Sequence, residues 1–225
     1  MLNTLKRRLI GRSRSLRTLS SIEAYKQWAA VYPPHAHNPL MQIEEAAMLA
    51  MMPNLRNRTV VDLACGTGRY GLLALQQGAA QVIGFDNSFA MLSAGQKSES
   101  SLLPFVLATT EGLPLKTASV DVALCGLAIG HLSSVQSMMG EIARILRPDG
   151  EALISDFHPF LFLTGRRRTF MVNGATYAVE HYAHLYADMD AAAKQVGLKI
   201  EKVAEPKITI DGLLLPAVIV YSLRK

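Results

Sequence analysis

The chain has 225 residues, half of them hydrophobic, enough for one domain with a substantial core and too apolar for a disordered chain. Lysine and arginine number 23 against 18 acids, a formal charge of +5. Residues 1–20 hold Lys6, Arg7, Arg8, Arg12, Arg14 and Arg17 with no acid, which leaves 17 basic and 18 acidic residues elsewhere and gives the body no excess charge for a nucleic-acid partner.

That Arg- and Ser-rich arm, residues 1–20, has three readings: a surface-lying terminus, a transit-type leader, or an electrostatic arm for nucleic acid or membrane. The expected location is cytoplasmic, with organellar targeting by this arm as the alternative. From residue 21 the pattern turns helical, with Ile22, Tyr25, Trp28 and Ala29 on one face, until Tyr32-Pro33-Pro34 breaks it. A second helix is expected over about 39–52. After Pro53 short β-rich runs begin, at 59–63, 81–86, 104–107, 120–125, 151–155, 199–205 and 217–223, with helical stretches between most of them. Such alternation predicts an α/β fold: a Rossmann-like, seven-stranded, mainly parallel sheet covered by helices on both faces.

One segment breaks the rhythm. Residues 168–172 and 175–179 flank Asn173-Gly174, the signature of a two-residue type I′ hairpin. It follows the fifth strand, which places it above the carboxyl ends of the strands, where open α/β sheets bind ligands. The expected organisation is a single domain over 21–225, with N-terminal helices at 21–55 and a hairpin or substrate lid at 160–185. The longest apolar runs, 122–130 and 213–220, fall short of the roughly 18 residues that cross a bilayer, so no transmembrane segment is expected.

The first strand ends as Val60-Val61-Asp62-Leu63-Ala64-Cys65-Gly66-Thr67-Gly68-Arg69-Tyr70-Gly71 and runs directly into a helix. Gly66 and Gly68 allow a sharp turn and close approach to a ligand, and the helix offers its N-terminal amides. Asp86 closes the second strand, at a spacing suited to accepting hydrogen bonds from two ribose hydroxyls. The glycines also satisfy the dinucleotide fingerprint, so an NAD(P)-dependent oxidoreductase is one alternative. Asp62 speaks against it, because a carboxylate aimed into the loop repels a pyrophosphate and welcomes a cationic amino-acid tail.

On these residues the chain resembles the class I S-adenosylmethionine-dependent methyltransferases, in particular the group with the ubiquinone/menaquinone C-methyltransferases and related small-molecule enzymes. The resemblance covers about residues 25–156. The family's acid followed by three alternating glycines stands here as Asp62, Ala64, Gly66 and Gly68, with Ala64 in place of the first glycine. It implies S-adenosylmethionine as cofactor, with Asp62 and the backbone of Ala64, Cys65 and Gly66 at its methionine part and Asp86 at the ribose. Asn87 and Met91 would border the adenine. The third motif, Ala108-Thr109-Thr110-Glu111-Gly112-Leu113-Pro114-Leu115, would complete the adenine side through Thr109, Thr110 and Glu111, with Thr109 where the family places an Asp. Tyr25, with Trp28 and Tyr32, resembles the helix that closes over the cofactor. Residues 119–122 and 141–150 resemble the family's fourth strand and the helix and turn before the fifth.

Methyl transfer from a sulfonium is an in-line displacement that relies on positioning in a dry site and needs no metal. An acidic acceptor atom would be helped by a general base, and His131, Asp156, His158 and His181 lie near the carboxyl edge of the sheet. His184, His35 and His37 are further possibilities. Each has a plain structural alternative as a hydrogen-bonded loop residue. Six histidines and two cysteines, Cys65 and Cys125, show no metal-ligand spacing, and the two cysteines cannot make a disulfide framework. Arg166-Arg167-Arg168 reads either as a solvated turn or as a site for an acidic acceptor, and Phe170, Met171 and Tyr177 as a roof over an apolar one. The expected partner is a small-molecule acceptor. A non-catalytic S-adenosylmethionine-binding module and a nucleic-acid methyltransferase are the remaining alternatives; for the latter, Cys125-Gly126-Leu127-Ala128 lacks the proline-containing motifs of DNA amino and cytosine methylation.

Overall fold

The computed structural model describes residues 16–225, so most of the basic arm, 1–15, lies outside the described residues. The chain opens with β1 (Thr18–Leu19), α1 (Ser21–Trp28), a short 3-10 turn (Ala29–Val31) and α2 (Pro39–Met51). The alternating body follows: β2 (Thr59–Leu63), α3 (Arg69–Gln76), β3 (Gln81–Asp86), α4 (Phe89–Gly95), β4 (Phe105–Leu107), β5 (Val120–Gly126), α5 (Gln136–Ile145) and β6 (Leu146–Phe157). Then come α6 (Pro159–Leu163), β7 (Thr169–Val172), β8 (Ala175–Val179), α7 (Tyr186–Gln195), β9 (Lys199–Ala204), β10 (Lys207–Ile210), β11 (Leu213–Pro216) and β12 (Val218–Arg224).

Seven strands form one sheet in the order β4-β3-β2-β5-β6-β12-β9, parallel from β4 to β6, with β12 antiparallel to both neighbours. Alternate residues of each central strand enter different cores. Val61, Leu63, Ala123 and Ile154 pack against Met138, Met139 and Ile142 of α5 and Met189 of α7. Val60, Val122, Leu124 and Leu153 face Met48 of α2 and Tyr70 and Ala74 of α3. Both faces are covered, so the strands are apolar throughout rather than alternating. The chain leaves β2 for β3 on one side and reaches β5 on the other, and that reversal opens a crevice at the carboxyl ends of β2 and β5.

Over that crevice sits a three-stranded sheet, β1-β8-β7. Asn173 and Gly174 both have positive φ, 50° and 73°, as the two-residue hairpin requires. The last residues of the expected arm belong to this sheet, which corrects the boundary at residue 20. Thr18 and Leu19 pair with Ala178 and Val179, Leu19 is buried, and Ser20 caps α1 in a reciprocal box with Glu23. Leu19, Ala24, Phe170 and Val179 make a small separate core with Trp28 and Tyr177. A second hairpin, β10-β11, turns at Asp211-Gly212, again with positive φ. Asp211-Gly212 is the same kind of two-residue turn signal as Asn173-Gly174, set between the two final strands of the main sheet.

Candidate active site

The glycine loop is built by two carboxylates that grip its backbone. The Gly71 amide donates to Asp62 Oδ2 at 2.8 Å, pinning the first turn of α3 to the strand that precedes it. The Gly66 amide donates to Asp86 Oδ2 at 2.8 Å and the Ser88 amide to Asp86 Oδ1 at 2.7 Å, so the end of β3 holds both the loop and the start of α4. Gly66 has φ 58°, and a Cβ there would lie 3.2 Å from Met91 Cε. Ala64 carries φ 49° at the position where the motif has glycine, a left-handed conformation that is unfavourable for an L-residue by about 1–2 kcal/mol. Leu127, at the end of β5 on the other side of the crevice, has φ 56°. Both strained residues line the same crevice at the switch point, where functional strain concentrates.

Between them lies a cavity of ≈ 180 Å³. Asp62, Ala64, Cys65, Gly66, Asp86 and Asn87 line one side, and Met91, Thr109, Thr110 and Glu111 another. Tyr25, Tyr32 and His131 complete the wall. Gly68 does not line it: a Cβ there would meet Leu103 Cδ1 at 2.8 Å and Phe105 Cζ at 2.9 Å, so this glycine serves helix packing. Burial pushes the Asp62 carboxyl up to about 7, against the Gly71 amide and Arg69, which pull it down. Burial raises Asp86 as well, opposed by its backbone hydrogen bonds.

Sequence reasoning missed the buried clamp behind the loop. Glu44 of α2 is fully buried, and Arg69 Nη2 and Tyr70 Oη donate to it at 2.8 and 2.7 Å. Arg69 Nη1 donates to Glu45 at 2.8 Å, so two guanidinium edges tie α2 to the residues that follow the glycines. Arg69 and Tyr70 also line the cavity. The signal available was only an adjacent acid pair on a helix otherwise apolar on that face.

The expected general bases are dispersed. Of the four, His131 alone lines this cavity. Its Nδ1 is 3.1 Å from the Glu180 carbonyl, which can only accept, so Nδ1 carries the proton. Its Nε2 therefore accepts, from Tyr25 Oη at 3.1 Å and Arg168 Nη1 at 2.9 Å. Burial and the Arg168 charge hold its pKa well below the ordinary value. Asp156 is not aimed at a ligand: its carboxylate accepts from the Gly130 and Phe157 amides and is buried. His158 caps α6, accepting from the Phe160 amide at 3.2 Å and donating to Glu205 at 3.1 Å. His181 lies against Gly130 and lines a second cavity. His184 donates to the Leu132 carbonyl.

Nor do the hairpin aromatics roof either cavity. Phe170 stacks on Trp28, ring centroids 5.1 Å apart, and on Tyr177, while Met171 faces solvent. Arg168 is the hairpin's contribution, donating to the Leu127 carbonyl at 2.8 Å as well as to His131. Among the described residues no group of three His, Cys, Asp or Glu could hold a metal ion, and no helix is long and apolar enough to cross a membrane.

Residues 61–154 match the family model described as methyltransferase domain, a span that holds both acids and the glycine loop. Among curated proteins the chain is 31% identical over 119 residues to a malonyl-[acyl-carrier protein] O-methyltransferase of Enterobacter lignolyticus, covering 52% of this chain and 47% of that one. It is 30% identical over 114 residues to a ubiquinone/menaquinone biosynthesis C-methyltransferase of Acidiphilium cryptum, covering 48% and 46%. The chain thus spans about half the length of these relatives. Among solved structures, an S-adenosylmethionine-dependent methyltransferase from Mesorhizobium loti superposes with a TM-score of 0.69 at 23% identity, over 81% of this chain and 98% of that one. The strand order and the gripped glycine loop agree with the domain match: residues 61–154 are similar to the methyltransferase domain, and the chain shares the fold of the S-adenosylmethionine-dependent methyltransferase structure from Mesorhizobium loti.

Proposed function

We propose that the protein transfers the methyl group of S-adenosylmethionine to a small-molecule acceptor. The observation that carries this reading is the pair of buried carboxylates at the ends of β2 and β3, each fixed by a loop amide and both facing one cavity. The cavity fits the cofactor chemically. Each Asp86 oxygen accepts one amide and keeps lone pairs for ribose hydroxyls, Asp62 supplies a negative charge for an ammonium, and Met91 with Thr109, Thr110 and Glu111 offers an apolar and polar edge for a base. When bound, the group supplies a sulfonium-activated methyl. Tyr25 and Tyr32 from the N-terminal segment cover the cavity and exclude water. His131, neutral and held by Tyr25 and Arg168, fixes the wall on the acceptor side.

Nothing in the cavity favours a dinucleotide, whose pyrophosphate would meet Asp62. Isothermal titration calorimetry tests the reading. S-adenosylmethionine and S-adenosylhomocysteine should both bind with micromolar affinity, the product more tightly, and NADH should not compete. Absence of binding to both would overturn it.

A further inference from the structure

A second cavity of ≈ 280 Å³ adjoins the first, and Arg168 lines both. Its walls are apolar and aromatic: Leu40, Phe157, Leu161, Phe162, His181 and Ile210. Its charged lining consists of Arg166, Arg167 and Arg168, with no carboxylate. The three arginines differ. Arg166 is paired with the exposed Asp211 at 3.1 Å, and Arg167 lies over the Phe162 ring, 5.0 Å from its centroid. Arg168 lies between the Phe157 and Tyr25 rings, at 4.8 and 5.9 Å, and its hydrogen bonds go to a carbonyl and an imidazole, both uncharged. A guanidinium half-buried among rings without an anionic partner is poised to pair with one.

We propose that this second cavity binds the methyl acceptor, and that the acceptor has an apolar, ring-sized body and a carboxylate that pairs with Arg168. The proposal rests on the methyltransferase reading above for the role of the cavity, but its charge selectivity stands on the lining alone. Most of the expected bases are already engaged. His131 Nε2, Asp156, His158 and His184 are all engaged with protein partners. Only His181 has a ring nitrogen, Nδ1, that is buried without a partner. A carboxylate needs no base. As its oxygen lone pair forms the new C–O bond and the S–CH3 bond breaks, the charges cancel to a neutral ester and a neutral thioether, with no proton to place.

The test is calorimetry on the full chain with three probes of one shape: 2-naphthoate, 2-naphthamide and 2-naphthylmethylammonium, each titrated with and without saturating S-adenosylhomocysteine. The naphthoate should bind at least about tenfold more tightly than the amide, and the ammonium should not bind. Arg168→Gln should erase the preference for naphthoate, and Arg168→Lys, which keeps the charge but not the planar fork, should retain part of it. Circular dichroism and a cooperative thermal unfolding transition establish that the variants are folded; should the Gln variant fail to fold, the Lys variant and the three wild-type probes still decide. Equal binding of naphthoate and amide by the wild type, or an undiminished preference in Arg168→Gln, would overturn the proposal. Failure of S-adenosylhomocysteine to bind while naphthoate is still preferred would instead fall on the proposed function.

Discussion

Asp62 is held where its charge is unfavourable to the free protein and useful to a cationic ligand, and Asp62→Asn separates the two effects. Asparagine has the same shape, and its Oδ1 can keep the 2.8 Å bond from the Gly71 amide. Burial moves the carboxyl from an ordinary 3.8 to about 7. The folded carboxyl therefore binds its proton more tightly than the unfolded one, so stability is greatest below about pH 4, falls as pH rises to about 7, and is flat beyond. The cost of that change is about 4 kcal/mol at pH 8 and under about 1 kcal/mol at pH 4. Asp62→Asn should accordingly stabilise the ligand-free protein by up to about 4 kcal/mol at pH 8, and the gain should shrink towards zero at pH 4. Urea denaturation of both proteins across that range measures it. The same substitution should weaken S-adenosylmethionine binding by about 1–3 kcal/mol, through the lost charge on the ammonium. A variant no more stable than wild type at pH 8 would refute the desolvation argument, and one that binds the cofactor equally well would refute the placement of the methionine end.

Three further outcomes are expected. Asp86→Ala should lower cofactor affinity by about 1–3 kcal/mol by calorimetry, since it removes the proposed ribose acceptor and frees the Gly66 and Ser88 amides. Arg69→Ala should lower stability by about 3–5 kcal/mol in thermal or chemical unfolding, because it leaves the fully buried Glu44 charge with hydroxyl donors but no cation; a loss under about 1 kcal/mol would show that the clamp is not a coupled unit. His131 should remain neutral with its proton on Nδ1 through the pH range in which an ordinary imidazole protonates, because burial and the Arg168 charge lower its pKa, and nitrogen-15 NMR of the ring would reveal the opposite tautomer or an imidazolium if the hydrogen-bond assignment is wrong.

The local devices were legible in the sequence because each depends on a few adjacent residues. Asp62, Gly66 and Asp86 stand where strand, turn and spacing put them, and Asn173-Gly174 makes the hairpin its dipeptide demands. Alternation of β-rich and helical runs was enough for a parallel sheet, since strands covered on both faces are recognisable as short apolar runs. The tertiary structure decided everything that depends on side chains far apart in the chain. It joined Thr18 and Leu19 to a hairpin some 160 residues later, and buried Glu44 against Arg69 and Tyr70. It also turned Gly68 towards Leu103 and Phe105 rather than the cavity, and spent Asp156 and His158 on backbone caps. No local pattern predicts these, because whether a polar group is free to act depends on which donor or acceptor the fold brings within about 3 Å, and most buried polar groups are satisfied within the fold. For the same reason Arg168 looked no different from its two neighbours in sequence, and only packing gave it a place between two cavities.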